Sequence, residues 1–254
     1  MTIGIVIPAR LDSERLPGKV LKDFLGMPMI EHVWRRAQLT NPLLETVIAT
    51  DSSEIKKTAE KFGANCILTS KDHENGLSRV GEIADVLKWD HYLVLQADEI
   101  LIEPESLNLL VRTTLSNSQF QFFNLITKIE RLEEISDVNI VKCLTRKDNS
   151  IITIARKSNS IAPEFDQMEY TNKICGVFSC SSNLLKELIS TNAQRIERSE
   201  SIEQMKAIEI GYGIQGVPIK RNYPSVNTSD EAILALSILQ SDNIQKRILN
   251  SYIK

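Results

Sequence analysis

Short runs of β-branched and aliphatic residues alternate along the first hundred positions with stretches whose apolar residues recur at helical spacing. Ile3–Ile7 is a strand-length run closed by Pro8, the pattern of a strand buried on both faces in a parallel sheet. Ile30, Val33, Trp34 and Ala37 then fall at i, i+3, i+4 and i+7, one face of a helix. Thr46–Thr50 predicts a second strand. Asp51 with Glu54 reads as a capping box that opens a helix ending at Gly63. Cys66–Thr69 and Tyr92–Gln96 predict two further strands, with a helix through Val80–Leu87 between them. Strands joined by helical crossovers point to a doubly wound parallel sheet.

Beyond residue 120 the pattern changes. Gln121–Ile129, Ile140–Leu144, Ile151–Ala155 and Ile174–Cys180 are strand-like with shorter connections, which predicts a mixed sheet. Helices follow around Leu184–Ser190 and Ile202–Gly211, then a strand near Ile214–Ile219 and a last helix over Ser229–Gln240. No repeat, linker or low-complexity stretch interrupts the chain, so it reads as one domain with an elaborated second half.

Composition narrows the function without naming it. With 254 residues, 42% hydrophobic and 25% charged, the chain can bury a core without disulfide or metal staples. Thirty Lys and Arg against 33 Asp and Glu give a net charge of −3, which excludes a generally basic nucleic-acid binder but leaves local cationic clusters open. Arg10 follows the N-terminal apolar run, the reverse of a secretory signal, and the longest apolar stretch, Ala232–Leu239, is broken by Ser237. That stretch falls far short of the ~20 residues a membrane span needs. The expectation is a cytoplasmic protein with neither nucleic acid nor membrane as partner. Cys66, Cys143, Cys175 and Cys180 form no C-x-x-C pair and read as buried free thiols.

Candidate chemistry gathers where strands end. The first predicted strand leads into Pro8-Ala9-Arg10-Leu11-Asp12-Ser13-Glu14-Arg15-Leu16-Pro17-Gly18-Lys19. Ligands of open α/β sheets bind beyond the carboxyl ends of strands, and Arg10, Arg15 and Lys19 suit a polyphosphate. With Gly18 as its only glycine, the loop is neither a dinucleotide fingerprint nor a Walker loop. The plainer alternative is a solvated loop whose Asp12 and Glu14 balance the cations. Gln96-Ala97-Asp98-Glu99 ends the fourth strand, where Asp98 can hold Mg²⁺ beside phosphate oxygens or simply cap a helix. Spacing does not separate the two. Ile100 removes an Asp-x-Asp motif. His32 and His91 read as structural or exposed, and His73 as a loop-fixing residue. Ser179 and Ser181 lack a nucleophile elbow, and the charged stretch 195–200 reads as a solvated helix approach.

Taken together, Pro8-Ala9-Arg10, Arg15-Leu16-Pro17-Gly18-Lys19, Gly26-Met27-Pro28-Met29-Ile30 and Ala49-Thr50-Asp51 resemble the start of the 3-deoxy-manno-octulosonate cytidylyltransferases. The likeness continues through Asp72-His73, Gly76, Arg79, Gln96, Asp98-Glu99 and Ile102-Glu103-Pro104. It recurs at Val141-Lys142, Arg156, Gly176, Glu200-Ser201-Ile202-Glu203-Gln204 and Val226-Asn227-Thr228. The first block also suits other sugar nucleotidyltransferases; the later ones favour the octulosonate branch. This resemblance implies an α/β, Rossmann-like nucleotidyltransferase fold with a mostly parallel central sheet and a mixed second half. It implies transfer of CMP from CTP to a 2-keto-3-deoxy sugar acid for cell-surface polysaccharide, with release of pyrophosphate. Mg²⁺ as cofactor and a homodimer are implied with it.

By the same resemblance, Lys19, Arg10 and Asp98 serve catalysis, while Ala9, Arg10, Ser13, Arg15, Lys19, Gly76, Arg79 and Gln96 frame the nucleotide. Arg156, Glu203 and Gln204 meet the sugar acid, and Asp98 and Asn227 hold the metal. The single domain, 1–254, divides into a nucleotide-binding part over about 1–115, an acceptor-binding and dimerisation part over about 116–220, and a C-terminal helix over about 229–240. Several positions depart from the family pattern. Ala97 and Ile100 replace Gly and Pro, Asn75-Gly76-Leu77-Ser78-Arg79 lacks two hydroxyls and a carboxylate at their usual places, and Ile174 stands where a His or Gln is expected. Asn227 replaces a metal-binding Asp; its amide oxygen can ligate Mg²⁺ but brings no charge, and Asp230 is the nearest substitute. Two alternatives therefore stay open: another acceptor (amino-octulosonate, nonulosonate or phosphonate), or a non-catalytic nucleotide- or sugar-binding relative.

Overall fold

In the computed structural model, which describes every residue except 14, 42, 43, 74, 158, 159, 193, 222 and 254, the N-terminal apolar run becomes strand β1 (Ile3–Ala9). Pro8 lies inside this strand rather than closing it, in register with Ala49. A small hairpin follows, β2 (Asp23–Phe24) with β3 (Met27–Pro28). The parallel core then forms from β4 (Thr46–Thr50), β5 (Asn65–Leu68) and β6 (His91–Leu95). Strands β1, β4 and β6 are buried along nearly their whole length, as β-branched runs covered on both faces must be.

The second half supplies β7 (Phe122–Lys128), β8 (Lys142–Thr145), β9 (Ile151–Ala155), β10 (Thr171–Ser181) and β11 (Ile214–Pro218). The sheet runs β11-β7-β10-β6-β1-β4-β5, with β8 and β9 extending from β10. β10 lies antiparallel to β6 and β7, so the sheet is mixed as well as doubly wound. One half of β10 pairs with β8 and the other with β6, and its register with β7 shifts between Ile174 and Phe178. The sheet therefore parts beside Gly176, just past the carboxyl end of β6.

Helices cover both faces. Met29–Gln38, Pro104–Ser116 and Ser229–Ser241 bury Ile30, Leu107 and Ala235 in one cluster. Gly76–Leu87 and Ser182–Ser190 bury Val80 and Leu184 in the other. The helix after β4 is Ser53–Lys61, and Ser52 rather than Asp51 caps it, its Oγ accepting from the Ile55 amide at 3.3 Å. Asp51 is drawn off by Arg79, whose Nη2 donates to its carboxylate at 2.9 Å. Helices Pro104–Ser116, Arg195–Glu200 and Asn243–Asn250 have no counterpart in the sequence expectation.

His32 and His91 are buried, and all four cysteines are free and buried. Burial pushes the Cys143 and Cys180 thiols up to about 12. Among the described residues no helix is long and apolar enough to cross a membrane.

Candidate active site

The strand ends at β1 and β6 open on one cleft of about 680 Å³. Ala9, Arg10, Ser13, Arg15 and Lys19 line it from the loop after β1, and Gln96 and Asp98 from the end of β6. Gly76 and Arg79 enter from the start of helix Gly76–Leu87, and Glu203 and Asn227 complete the opposite wall. Eleven of the thirteen residues expected at the site thus come together. Arg10 and Arg15 are exposed, and among the described residues neither has an ion pair. Asp12 faces the same cleft without pairing to them, and Glu14, its expected companion, lies outside the described residues.

Lys19 is fixed by a left-handed turn at Gly18 (φ +66°), where a side chain would be strained, followed by a turn of 3₁₀ helix over Lys19–Leu21. Its ammonium donates to Asp98 Oδ2 at 2.8 Å, Asn227 Oδ1 at 2.9 Å and the Val226 carbonyl at 3.3 Å, using all three donors. The Val226 amide donates back to the Asp98 carbonyl at 3.0 Å. Thr228 caps helix Ser229–Ser241 in a capping box with Glu231, whose Oε2 also accepts from the Asn227 amide at 2.7 Å. Asn227 is therefore held by backbone and side chain together. Asp230 does not line the cleft and offers no substitute for the missing carboxylate.

Asp98 and Asn227 present hard oxygen donors to the cleft. Among the described residues no group of three or more His, Cys, Asp or Glu could hold a metal ion. One carboxylate and one amide oxygen still fit Mg²⁺, which commonly takes one or two carboxylates and completes its shell with water and substrate phosphates.

Glu99, beside Asp98, turns away from the cleft and is 5% exposed. Its Oε1 accepts from the Gly176 amide at 3.1 Å and Ser225 Oγ at 2.8 Å, tying the irregular part of β10 to the loop that carries Asn227. Burial, with the Asp98 charge adding to it, pushes the Glu99 carboxyl up to about 7. A Cβ at Gly176 would stand 2.5 Å from Glu99 Oε1. Gly176→Ala is expected to lower stability by about 1–3 kcal/mol, as overpacking does, and to depress activity by displacing the Asn227 loop. Urea denaturation with a parallel rate assay checks this; unchanged stability would show that Glu99 can move aside.

Glu203 Oε1 accepts from the Gly76 amide at 3.0 Å, a carboxylate at a helix N-terminus. Its Oε2 is shielded from solvent and unpartnered. Burial pushes this carboxyl up, opposed by the Gly76 and Leu77 amides. Arg79 is 3% exposed and already bonded to Asp51, Thr69 Oγ1 and the Ser70 carbonyl, so it stiffens the wall instead of offering a free charge. His73 faces the cleft and pairs with Glu82, in keeping with a loop-fixing role.

Two expected residues lie elsewhere. The Arg156 guanidinium bonds to the carbonyls of Glu200 (2.6 Å), Val138 (3.2 Å) and Ser201 (3.1 Å), and it does not line the cleft. Gln204 Nε2 donates to buried Asn124 Oδ1 at 3.1 Å, facing the sheet. Ile174 also lies off the cleft. In their place the structure brings to the cleft wall Glu197 and Arg198, from the stretch 195–200 expected to be a solvated helix approach, and Ser201 just after it. The one available signal was its position directly before Ser201-Ile202-Glu203.

Known proteins share this architecture. The family described as cytidylyltransferase matches residues 4–219. A 3-deoxy-manno-octulosonate cytidylyltransferase of Chlorobium limicola is 32% identical over 94% of this chain and 98% of its own. The mitochondrial 3-deoxy-manno-octulosonate cytidylyltransferase of Arabidopsis thaliana is 31% identical over 94% and 83%. The solved CMP:2-keto-3-deoxy-manno-octonic acid synthetase complexed with CTP superposes with a TM-score of 0.89 at 27% identity, covering 95% of this chain and 100% of that one. The inositol-1-phosphate CTP transferase of T. maritima, at 14% identity and a TM-score of 0.67, shares the fold.

Proposed function

Since the chain belongs to the cytidylyltransferase family, we propose that it transfers CMP from CTP to a 2-keto-3-deoxy sugar acid of the octulosonate type. The observation that supports this most is the convergence of Arg10, Arg15 and the Lys19–Asp98–Asn227 cluster at the ends of β1 and β6. The hydroxyl on the acid's anomeric carbon attacks the α-phosphorus, a P–O bond forms, and the bond to the α–β bridging oxygen breaks to release pyrophosphate. Such a transfer needs positioning and charge neutralisation more than covalent catalysis. Arg10 and Arg15 meet the triphosphate, and Ala9, Ser13, Gly76 and Gln96 shape the space around the nucleotide. Lys19 neutralises charge at the reacting end, and Glu203, which lines the cleft, meets the acceptor. Asp98 and Asn227 would hold Mg²⁺, which supplies Lewis-acid neutralisation of the charge developing on phosphate oxygens.

The part over about 1–115 then serves the nucleotide and that over about 116–220 the acceptor, with a cytoplasmic homodimer formed through the second. A monomer in dilute light scattering would remove the dimer from this reading.

Pyrophosphate release from CTP across octulosonic, amino-octulosonic and nonulosonic acids and phosphonates tests the assignment. Product with the octulosonate type supports it; turnover of another acceptor alone moves the substrate, and CTP binding without any turnover identifies a non-catalytic relative. Asn227→Asp is expected to tighten Mg²⁺ binding on the order of tenfold, because it restores a carboxylate to the donor set. Calorimetric titration of Mg²⁺ into the CTP-bound protein reads this directly, and an unchanged affinity would remove position 227 from the metal site.

A further inference from the structure

Beside the large cleft lies a second chamber of about 380 Å³, and the two share His73, Asn75, Glu197 and Arg198 as walls. Two cations face this chamber: Arg198, and Lys206 from helix Glu203–Glu209. Arg198 is exposed and Lys206 only 8% so, and among the described residues neither the Lys206 ammonium nor the Arg198 guanidinium has an ion pair or hydrogen bond. The Lys206 stem is covered while its charged end keeps access to the chamber, as long cationic side chains do. The two chamber carboxylates pair with neither cation. Glu197 accepts from the Gln194 amide at 2.9 Å, and Asp72 from Ser70 Oγ at 3.0 Å. The chamber therefore offers an anion two charged donors that the fold leaves unused.

We propose that Arg198, with Lys206 behind it, receives the carboxylate of the acceptor acid, in place of Arg156, which the family resemblance set against the sugar acid. This rests on the CMP-transfer reading above and adds the residue that selects an acid as acceptor. Arg198 sits on a firmly held element. Helix Arg195–Glu200 opens with a capping box, and Glu209 accepts from the amides of Ile196 and Glu197, both at 2.8 Å. Its far end turns at Ser201 (φ +52°), and Arg156 holds the carbonyls of Glu200 and Ser201 there. Arg156 is thus a positioning residue: three of its five N–H donors go to backbone carbonyls, fixing the turn next to Arg198 outside the cleft. An acid bound by Arg198 would reach toward the nucleotide past Glu203, since Arg198 borders both spaces.

Binding and turnover of 3-deoxy-manno-octulosonate, compared with its methyl ester, test the assignment in wild type, Arg198→Met, Arg198→Lys and Lys206→Met proteins. Wild type should prefer the acid over the ester by about 10–100-fold, the worth of a charge-assisted hydrogen bond. Arg198→Met should erase that preference and raise the acceptor KM by a similar factor with the CTP KM unchanged; Arg198→Lys should restore part of it, and Lys206→Met should weaken it. An acid preference and acceptor KM within twofold of wild type in Arg198→Met would overturn the proposal while leaving CMP transfer intact. Arg198-dependent acid binding without turnover would do the reverse, supporting the carboxylate site and removing the transfer reaction. Neither binding nor turnover of the acid overturns both.

Discussion

Replacing Lys19 by alanine is expected to lower CMP transfer by ~10²–10³-fold, the usual consequence of removing one preorganised donor from a charge-developing centre. The expectation follows from how the ammonium is held. Its three bonds to Asp98, Asn227 and Val226 hold it at one point of the cleft wall, whereas Arg10 and Arg15 are exposed and have no ion pair among the described residues. The loss should fall mainly on kcat, because the two exposed arginines remain to bind the triphosphate. The fold should survive. The side chains of Lys19 and Asp98 are 15% and 20% exposed, so water can reach the carboxylate left behind. Steady-state kinetics with a circular dichroism control measures both effects, and activity within tenfold of wild type would remove Lys19 from the reacting centre.

Acidification between pH 6.5 and 4 should destabilise the fold by up to about 3 kcal/mol through His32 alone. Its Nε2 lies 2.7 Å from the Phe24 carbonyl, so that nitrogen carries the hydrogen, and Nδ1 is left to accept from the Tyr252 hydroxyl at 2.9 Å. Burial pushes this imidazole down to about 4, with the neighbouring Arg36 charge adding to the effect. The unfolded chain therefore binds more protons than the native protein between the two values. Stability is fully present above pH 6.5 and is lost progressively as pH falls toward 4. His32→Asn should be less stable near neutrality, yet its stability should change less across this interval. Urea denaturation at several pH values measures the slope; equal slopes in the two proteins would show that His32 does not carry the acid sensitivity.

The parallel half of the sheet was legible because β-branched runs buried on both faces carry their own signal. Thr46–Thr50 and Ile151–Ala155 coincide with their strands to the residue. Helix Pro104–Ser116 escaped because Thr113, Thr114 and other polar residues blur its apolar stripe, while Pro104, which opens it at its first turn, looks like a breaker. The Asp51 cap failed for a different reason. Local spacing cannot report that Arg79, distant in sequence, captures the same carboxylate.

The site shows the same division. Residues on the loops that end β1 and β6 could be expected at the cleft because topology alone brings those loops to one edge of the sheet. Arg156 and Gln204 fit a motif by residue type, but type does not disclose whether a guanidinium meets a ligand or three backbone carbonyls. Conversely, Arg198 was hidden in a charge-rich stretch, where alternating signs look like solvated surface.

The Lys19 ammonium also has a temporal consequence. It bonds to groups 207 and 208 positions further along the chain. Contacts of that span close only after most of the intervening polypeptide has been ordered, since loop closure must precede them. During synthesis, a growing chain that has not yet delivered Val226 and Asn227 has no partner for this cation beyond Asp98. The Lys19 cluster is therefore completed by chain that emerges after the last strand, Ile214–Pro218. Fragments released early would carry the Arg10–Lys19 loop without the Lys19 contacts to Val226 and Asn227, so the site proposed for CMP transfer would assemble only once the C-terminal segment arrives.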